Sequence, residues 1–296
     1  MKILLIGGTG QVGSEILFVA KNNNVKCISP SSSELDITNR ASVNSIIENN
    51  LPLDFVVNAS AYTAVDKAED EQELAAKINR DGPQYLAEAC AKYKIPLLHI
   101  STDYVFDGCA DTPYKETDST HPLGVYGMTK LEGEQAIREC LPEHIILRTA
   151  WVYGAQGNNF IKTMLRLGQQ RPELKVVCDQ FGCPTAAVDI AITIINVISQ
   201  MHTQAKGRWG TYHYCSTGST HWADFAQAIF AEAVSVNSDY PSVKVIPIPS
   251  SEYPTKATRP GYSVLDCSKI EQSFTITPTM WQSSLQRYIP NILKNI

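Results

Sequence analysis

An apolar run, Lys2–Ile6, leads without a spacer into Gly7-Gly8-Thr9-Gly10-Gln11-Val12-Gly13, and a helix-patterned stretch opens inside that glycine segment. A buried strand that turns through glycines straight into a helix is the start of a βαβ unit, and few folds begin that way. In such a turn Gly7 permits the tight bend, and Gly10 lets backbone amides approach a pyrophosphate. Gly13 lets the helix lie close on the strand. Phosphates placed there meet the positive end of the helix dipole. The loop therefore predicts a dinucleotide site at the carboxyl end of the first strand.

The pattern downstream repeats the alternation. Helices are expected at 11–21, 41–49, 71–92 and 126–140, and strands at 25–29, 55–59, 96–100 and 145–149. The 71–92 helix carries Leu74, Ile78, Tyr85, Leu86 and Ala89 on its inward face. Short apolar strands between helices imply a parallel sheet covered on both sides, a Rossmann-type doubly wound α/β fold. Beyond Tyr153 the rhythm loosens: helices are expected at 158–169, 187–200 and 222–233, with strands at 175–178, 211–215 and 243–248. Residues 1–152 thus read as the dinucleotide-binding domain and 153–296 as a smaller α/β substrate lobe, some elements of about 180–215 returning to the main sheet.

With 44% hydrophobic residues the chain can bury a substantial core. A net charge of −5 with no basic stripe argues against a nucleic-acid partner. No apolar run reaches the roughly 18 residues of a membrane span, and the apolar stretch before Gly7 is too short for a signal peptide, so a cytoplasmic protein is expected. Eight scattered cysteines form no C-x-x-C pair and read as reduced thiols. Cys178, Cys183, His213 and Cys215 match no common zinc spacing, and no metal site is expected.

Tyr126 and Lys130 stand one helical turn apart on one face of a predicted helix. Reducing a carbonyl by hydride requires a proton at the oxygen, and a cation one turn from a phenol is expected to lower its pKa towards working pH. Lys130 can also hold a nicotinamide ribose. Ser101-Thr102-Asp103 follows a strand and so emerges at the carboxyl edge, where parallel sheets bind ligands. A hydroxyl there can steady a developing oxyanion, and on chemistry alone either Ser101 or Thr102 would serve. The second strand ends Cys27-Ile28-Ser29-Pro30-Ser31, with no acid to grip a ribose and no nearby arginine. The serines could accept either a hydroxyl or a phosphate, and with the acid missing NADPH is expected, with NADH tolerated.

The G-x-x-G-x-x-G spacing is the variant found in short-chain dehydrogenase/reductases. Together with 58–69 (Asn-Ala-Ser-Ala-Tyr-Thr-Ala-Val-Asp-Lys-Ala-Glu), Ser101–Phe106, Tyr126–Lys130, Trp151–Gly154, Gly157–Phe160 and Arg259-Pro260-Gly261, it resembles the dTDP-4-dehydrorhamnose reductase family of extended members. The resemblance spans nearly the whole chain. It implies NADPH- or NADH-dependent reduction of the C4 ketone of dTDP-4-dehydro-6-deoxy-L-mannose to dTDP-L-rhamnose. It implies Thr102 as the catalytic hydroxyl, Tyr126 as proton donor and Lys130 as its support. Cofactor contacts fall on Gly10, Gln11, Val12, Asp36, Ile37, Ala61, Tyr62 and Thr63, and sugar contacts on Asp103 and Trp151, whose indole would stack on the deoxysugar.

Arg148, Lys162, Arg166 and Arg259 are candidates to neutralise the diphosphate; Arg259, in a loop before Pro260, is preferred. Some members of the family form a magnesium-assisted dimer on glutamates. Glu15 is present here, but the second acidic position falls on Val188 beside Asp189, so a homodimer stays open and a metal-linked one is not expected. Two other readings remain. One is a non-catalytic regulatory subunit resembling that of methionine adenosyltransferase, which carries a segment like Ser101–Gly108; the other is a sibling nucleotide-sugar reductase or epimerase. Asn58-Ala59-Ser60 is a glycosylation sequon by pattern only, since it closes a buried strand.

Overall fold

A computed structural model describes residues 1–204 and 207–294. The glycine loop joins β1 (Lys2–Ile6) to α1 (Gln11–Asn22), followed by β2 (Lys26–Ile28), α2 (Arg40–Glu48) and β3 (Phe55–Asn58). Two short helices, α3 (Val65–Ala68) and α4 (Gln72–Ala76), pass through a π-helical turn, Lys77–Asp81, into α5 (Gly82–Tyr93). β4 (Leu97–Thr102) ends in a 3-10 turn, Asp103–Val105, before α6 (Val125–Cys140) and β5 (His144–Thr149). Next come β6 (Val152–Tyr153), α7 (Phe160–Gly168), β7 (Glu173–Val177), β8 (Phe181–Gly182), β9 (Thr185–Ala186) and α8 (Ala187–Thr203). The chain continues with β10 (Gly210–His213), β11 (Thr220–His221), α9 (Trp222–Val236), β12 (Lys244–Ile248), α10 (Ser268–Phe274) and α11 (Trp281–Leu293).

Six parallel strands form the main sheet in the order β10-β5-β4-β3-β1-β2. Side chains alternate between its two cores. Ile3, Leu5, Val57 and Leu147 face α1 and α8 through Ile16, Val19, Ile190 and Ile194. Leu4, Ile6, Val56 and Ile146 face α2, α5 and α6 through Val43, Ile47, Leu86 and Ile137. Burial on both faces explains why these strands read as continuous apolar runs. The order reverses between β1 and β3, so their carboxyl ends diverge into the crevice where such sheets take ligands. The fold is α/β and doubly wound.

A second assembly lies beyond β5. Parallel β7 and β12 pair from Glu173 to Val177, and α7, α9 and α11 pack with them through Ile161, Leu174, Val176, Phe225, Ile229 and Leu285.

The single helix expected over 71–92 is instead interrupted. Pro83 has no N–H to donate to the carbonyl of Asn79, and the backbone widens into the π turn there. The freed carbonyl lies against Gly133 of α6, where an added Cβ would come within 2.1 Å of it. The extra residue in the turn also shifts the helical phase of what precedes it. Leu74, expected inward, is therefore 43% exposed, and Ala75 is buried in its place.

Candidate active site

The glycine loop is built as a cradle that side chains would fill. Gly7 has φ +84°, and a Cβ there would meet the backbone nitrogen of Ser60 at 2.7 Å. A Cβ on Gly13 would sit 2.0 Å from the carbonyl oxygen of Gly7. Gly10 caps α1 without a side-chain hydrogen bond, which leaves the first-turn N–H groups of the helix for an anion. These features fit a dinucleotide pyrophosphate. A Gly13→Ala variant is expected to lose about 5- to 150-fold in NADPH affinity, because overpacking at this contact costs about 1–3 kcal/mol. Fluorescence titration checks it, and an unchanged Kd would refute the cradle.

The other expected cofactor contacts border this loop or lie further out. Val12, in the first turn of α1, packs against the core. The Gln11 side-chain oxygen accepts from Asn159 at 2.9 Å, tying the loop to the start of α7. Ile37 packs against the position of Gly82, while the exposed Asp36 carboxylate accepts from the N–H and hydroxyl of Thr38 at 2.9 and 2.7 Å. Ala61, Tyr62 and Thr63 run from the end of β3. Asn79, buried in the π turn, pins this strip by accepting from the Tyr62 N–H at 2.8 Å and donating to the Tyr62 carbonyl at 3.0 Å. It also donates to Thr129 of α6 at 3.2 Å. Neither periodicity nor motif singled out Asn79; the signal was Pro83, four residues on.

Thr102 closes β4, and its hydroxyl donates to Asp103 Oδ1 at 3.0 Å while accepting from the Tyr104 N–H at 3.2 Å. Burial raises the Asp103 carboxyl to about 6. Its Oδ2 is buried and lacks a hydrogen-bond partner among the described residues. Tyr126 and Lys130 extend from the first turns of α6, whose N-terminus is anchored by Glu69 accepting from the Val125 N–H at 2.9 Å. The Tyr126 ring meets Tyr104 edge-on, with centroids 5.6 Å apart.

The electrostatics depart from the expectation that Lys130 lowers the phenol. Burial drives Tyr126 up to about 12, and the Thr102 hydroxyl beside it pulls only partly back. Burial also brings Lys130 down to about 8, against the charge of Glu134. The amine is turned into the sheet, donating to the Ile100 carbonyl at 2.7 Å and lying 3.1 Å from His99 Nε2. Spacing places both groups on one face of α6, but burial sets the direction of both shifts, and Lys130 does not lower the phenol.

The arginines separate. Arg148 is not available to a diphosphate: it is 2% exposed and clamped by Glu134, which accepts from Nε at 2.9 Å and Nη2 at 2.7 Å. Arg259 is partly exposed and donates to Asp66 at 2.8 Å, and the neighbouring Lys256 pairs with Asp70. Lys162 and Arg166 sit on α7, away from the main sheet. Trp151, which follows β5, has φ +46°, a strained value for a bulky residue. One face of its indole is already covered by Trp222, stacked at 3.4 Å between centroids and 2° from parallel. Asp189 is buried and accepts from Ser284 at 2.5 Å and Tyr288 at 3.1 Å. Glu15 and Val188 line a separate pocket of about 120 Å³ with Phe18 and Tyr288. Among the described residues no cluster could hold a metal ion, and no helix is long and apolar enough to cross a membrane.

A glycine loop at the switch point of a parallel sheet, with a tyrosine–lysine helix beside it, defines a short-chain dehydrogenase/reductase architecture. The family model described as "RmlD substrate binding domain" matches residues 1–293. A dTDP-4-dehydrorhamnose reductase of Aggregatibacter actinomycetemcomitans is 44% identical, covering 96% of this chain and 97% of its own. A crystal structure of a dTDP-4-dehydrorhamnose reductase from Clostridium acetobutylicum superposes with TM-score 0.92 at 42% identity, covering 99% and 100% of the two chains. Another from Bacillus anthracis, in complex with NADP, gives 0.89 at 34% identity, covering 98% of each chain. The chain belongs to the dTDP-4-dehydrorhamnose reductase family.

Proposed function

We propose that this chain reduces the C4 ketone of dTDP-4-dehydro-6-deoxy-L-mannose to dTDP-L-rhamnose in the cytoplasm, using NADPH in preference to NADH. The observation that carries the reading is the gathering of the glycine cradle, Thr102 and the Tyr126–Lys130 face of α6 at one sheet edge. The chain's relatives bear the reductase name along its whole length. Gly7, Gly10, Gln11, Val12 and Gly13 would hold the pyrophosphate. Asp36 and Ile37 would border the adenine, and Ala61, Tyr62 and Thr63 the central part of the dinucleotide. Bound there, the reduced nicotinamide supplies a hydride.

The chain's own residues manage the proton and the oxygen. Tyr126, at about 12, keeps its phenolic proton throughout the neutral range and can deliver it to the ketone oxygen as charge gathers. Thr102 donates to the same oxygen once its hydroxyl turns from Asp103. Lys130 steadies the ribose and restores the phenol's proton. Asp103 and Trp151 contact the sugar, and Arg259 neutralises the diphosphate by exchanging Asp66 for it. The lack of an acid where β2 ends removes the usual grip on the ribose hydroxyls of NADH and supports NADPH. The serines there could meet either a hydroxyl or a phosphate, so NADH is tolerated.

Oxidation of NADPH and NADH followed with dTDP-, UDP- and GDP-linked 4-keto sugars tests the reading. Turnover of the dTDP sugar alone, faster with NADPH, is expected. No turnover, together with co-purification of a methionine adenosyltransferase, would replace it with the regulatory-subunit reading.

A further inference from the structure

A chain of polar groups, half-buried at Ser60 and buried from Asn58 onward, runs from β3 to α6. Ser60, just past β3, donates to the Asn58 side-chain oxygen from both its N–H, at 3.0 Å, and its hydroxyl, at 2.7 Å. A backbone N–H cannot accept, so the orientation of the Asn58 amide is fixed with its NH2 turned away from Ser60. That NH2 lies 3.0 Å from His99 Nδ1, which must then accept. His99 is fully buried, and burial and the Lys130 charge hold its pKa well below the ordinary histidine value, so it is neutral with one N–H. With Nδ1 accepting, the proton sits on Nε2, which faces Lys130 Nζ at 3.1 Å.

We infer that Ser60, Asn58 and His99 form a polarised hydrogen-bond chain whose last donor points at the Lys130 amine, making Asn58 and His99 positioning residues that set this lysine's protonation. A neutral amine satisfies every link, accepting from His99 Nε2–H and donating to the Ile100 carbonyl. An ammonium has no lone pair to accept with. Charging Lys130 takes one proton from solvent at Nζ and moves the His99 proton from Nε2 to Nδ1, against the Asn58 NH2. Burial by itself brings the amine down to about 8, with the Glu134 charge working against it; the hydrogen-bond chain adds to that burial. The other charged or titratable groups facing it are Tyr126, one turn earlier on α6, and Glu134, one turn later. Glu134 is held by Arg138 and by Arg148 of β5. The inference rests on the proposed role of Lys130 in reduction.

Asn58→Asp reverses the chain in nearly the same volume. One carboxylate oxygen still accepts from Ser60, and the other accepts from a His99 Nδ1–H, which leaves Nε2 free to accept from the ammonium. Nitrogen NMR of the histidine-labelled full-length protein, above the amine's value of about 8, reads the tautomer without turnover. Wild type is expected to show Nε2–H and the variant Nδ1–H. In the variant the alkaline limb of kcat/KM for NADPH, which reports the free enzyme, moves up by about one pH unit, a tenfold gain at a fixed pH on that limb. Nδ1–H in wild type, or an unmoved limb in the variant, overturns the inference. If the variant fails to fold, the wild-type tautomer alone decides. A protein that shows Nε2–H but reduces no keto sugar keeps the chain and loses the proposed function.

Discussion

Phenylalanine at Tyr126 lowers kcat for the dTDP-keto sugar by about 10²–10⁴, the usual contribution of a positioned general acid. The substitution removes one oxygen and keeps the ring, whose edge-on contact with Tyr104 is apolar and survives. The fold should therefore hold, and so should the glycine cradle, since neither Gly7 nor Gly13 contacts α6. NADPH affinity stays near wild type while the chemical step slows. A loss in kcat with unchanged dinucleotide Kd separates proton delivery from binding. Because burial holds the phenol at about 12, its proton is not titrated away in the neutral range. Wild-type kcat in the variant would remove Tyr126 from the mechanism.

Replacing Glu134 by alanine destabilises the protein by about 3–5 kcal/mol, because the Arg148 guanidinium is left charged, buried and unpaired. Glu134 is fully buried on the face of α6 turned towards β5, where it accepts two bonds from Arg148 and one from the partly exposed Arg138 at 2.6 Å. Burial alone would raise its pKa, but the Arg148 hydrogen bonds, together with the charges of Arg148 and Arg138, hold it below the ordinary carboxylate value. Its stabilisation is therefore present above an unfolded pKa of about 4.5 and is lost as pH falls through the lower folded value. Equilibrium urea unfolding measures the loss. A double variant, Glu134→Leu with Arg148→Met, should recover most of it, since an apolar pair of similar volume often equals a buried ion pair. A single variant within about 0.5 kcal/mol of wild type would show that the clamp carries little.

What could be read from sequence was what lies close in sequence. The strand–glycine–helix unit at Lys2–Asn22 is contiguous, and its physics is local. Tyr126 and Lys130 share a face because four residues make about one helical turn. Thr102 and Asp103 emerge where they do because a short apolar strand ends there. The failures are long-range. Arg148 reads as a free cation until β5 is laid beside α6, which brings Glu134 to it. The π turn moves Leu74 outward through one proline, Pro83, whose effect on helical phase periodicity alone does not carry. Trp222, distant in sequence from Trp151, stacks on one face of its indole, a pairing that no local pattern shows. Asn58 and His99 look like ordinary strand residues until strand order makes them neighbours, and the pKa values follow from burial that spacing cannot supply.

The proposed reduction requires a hydride arriving at C4 of a sugar ketone while this chain provides the proton. Mass spectrometry and proton NMR of the sugar formed with NADPH deuterated at the transferable position of its nicotinamide read that transfer in one experiment. A single deuterium at C4 of the product, with the solvent proton on its oxygen, is expected. Product without deuterium, or with the label on another carbon, contradicts it.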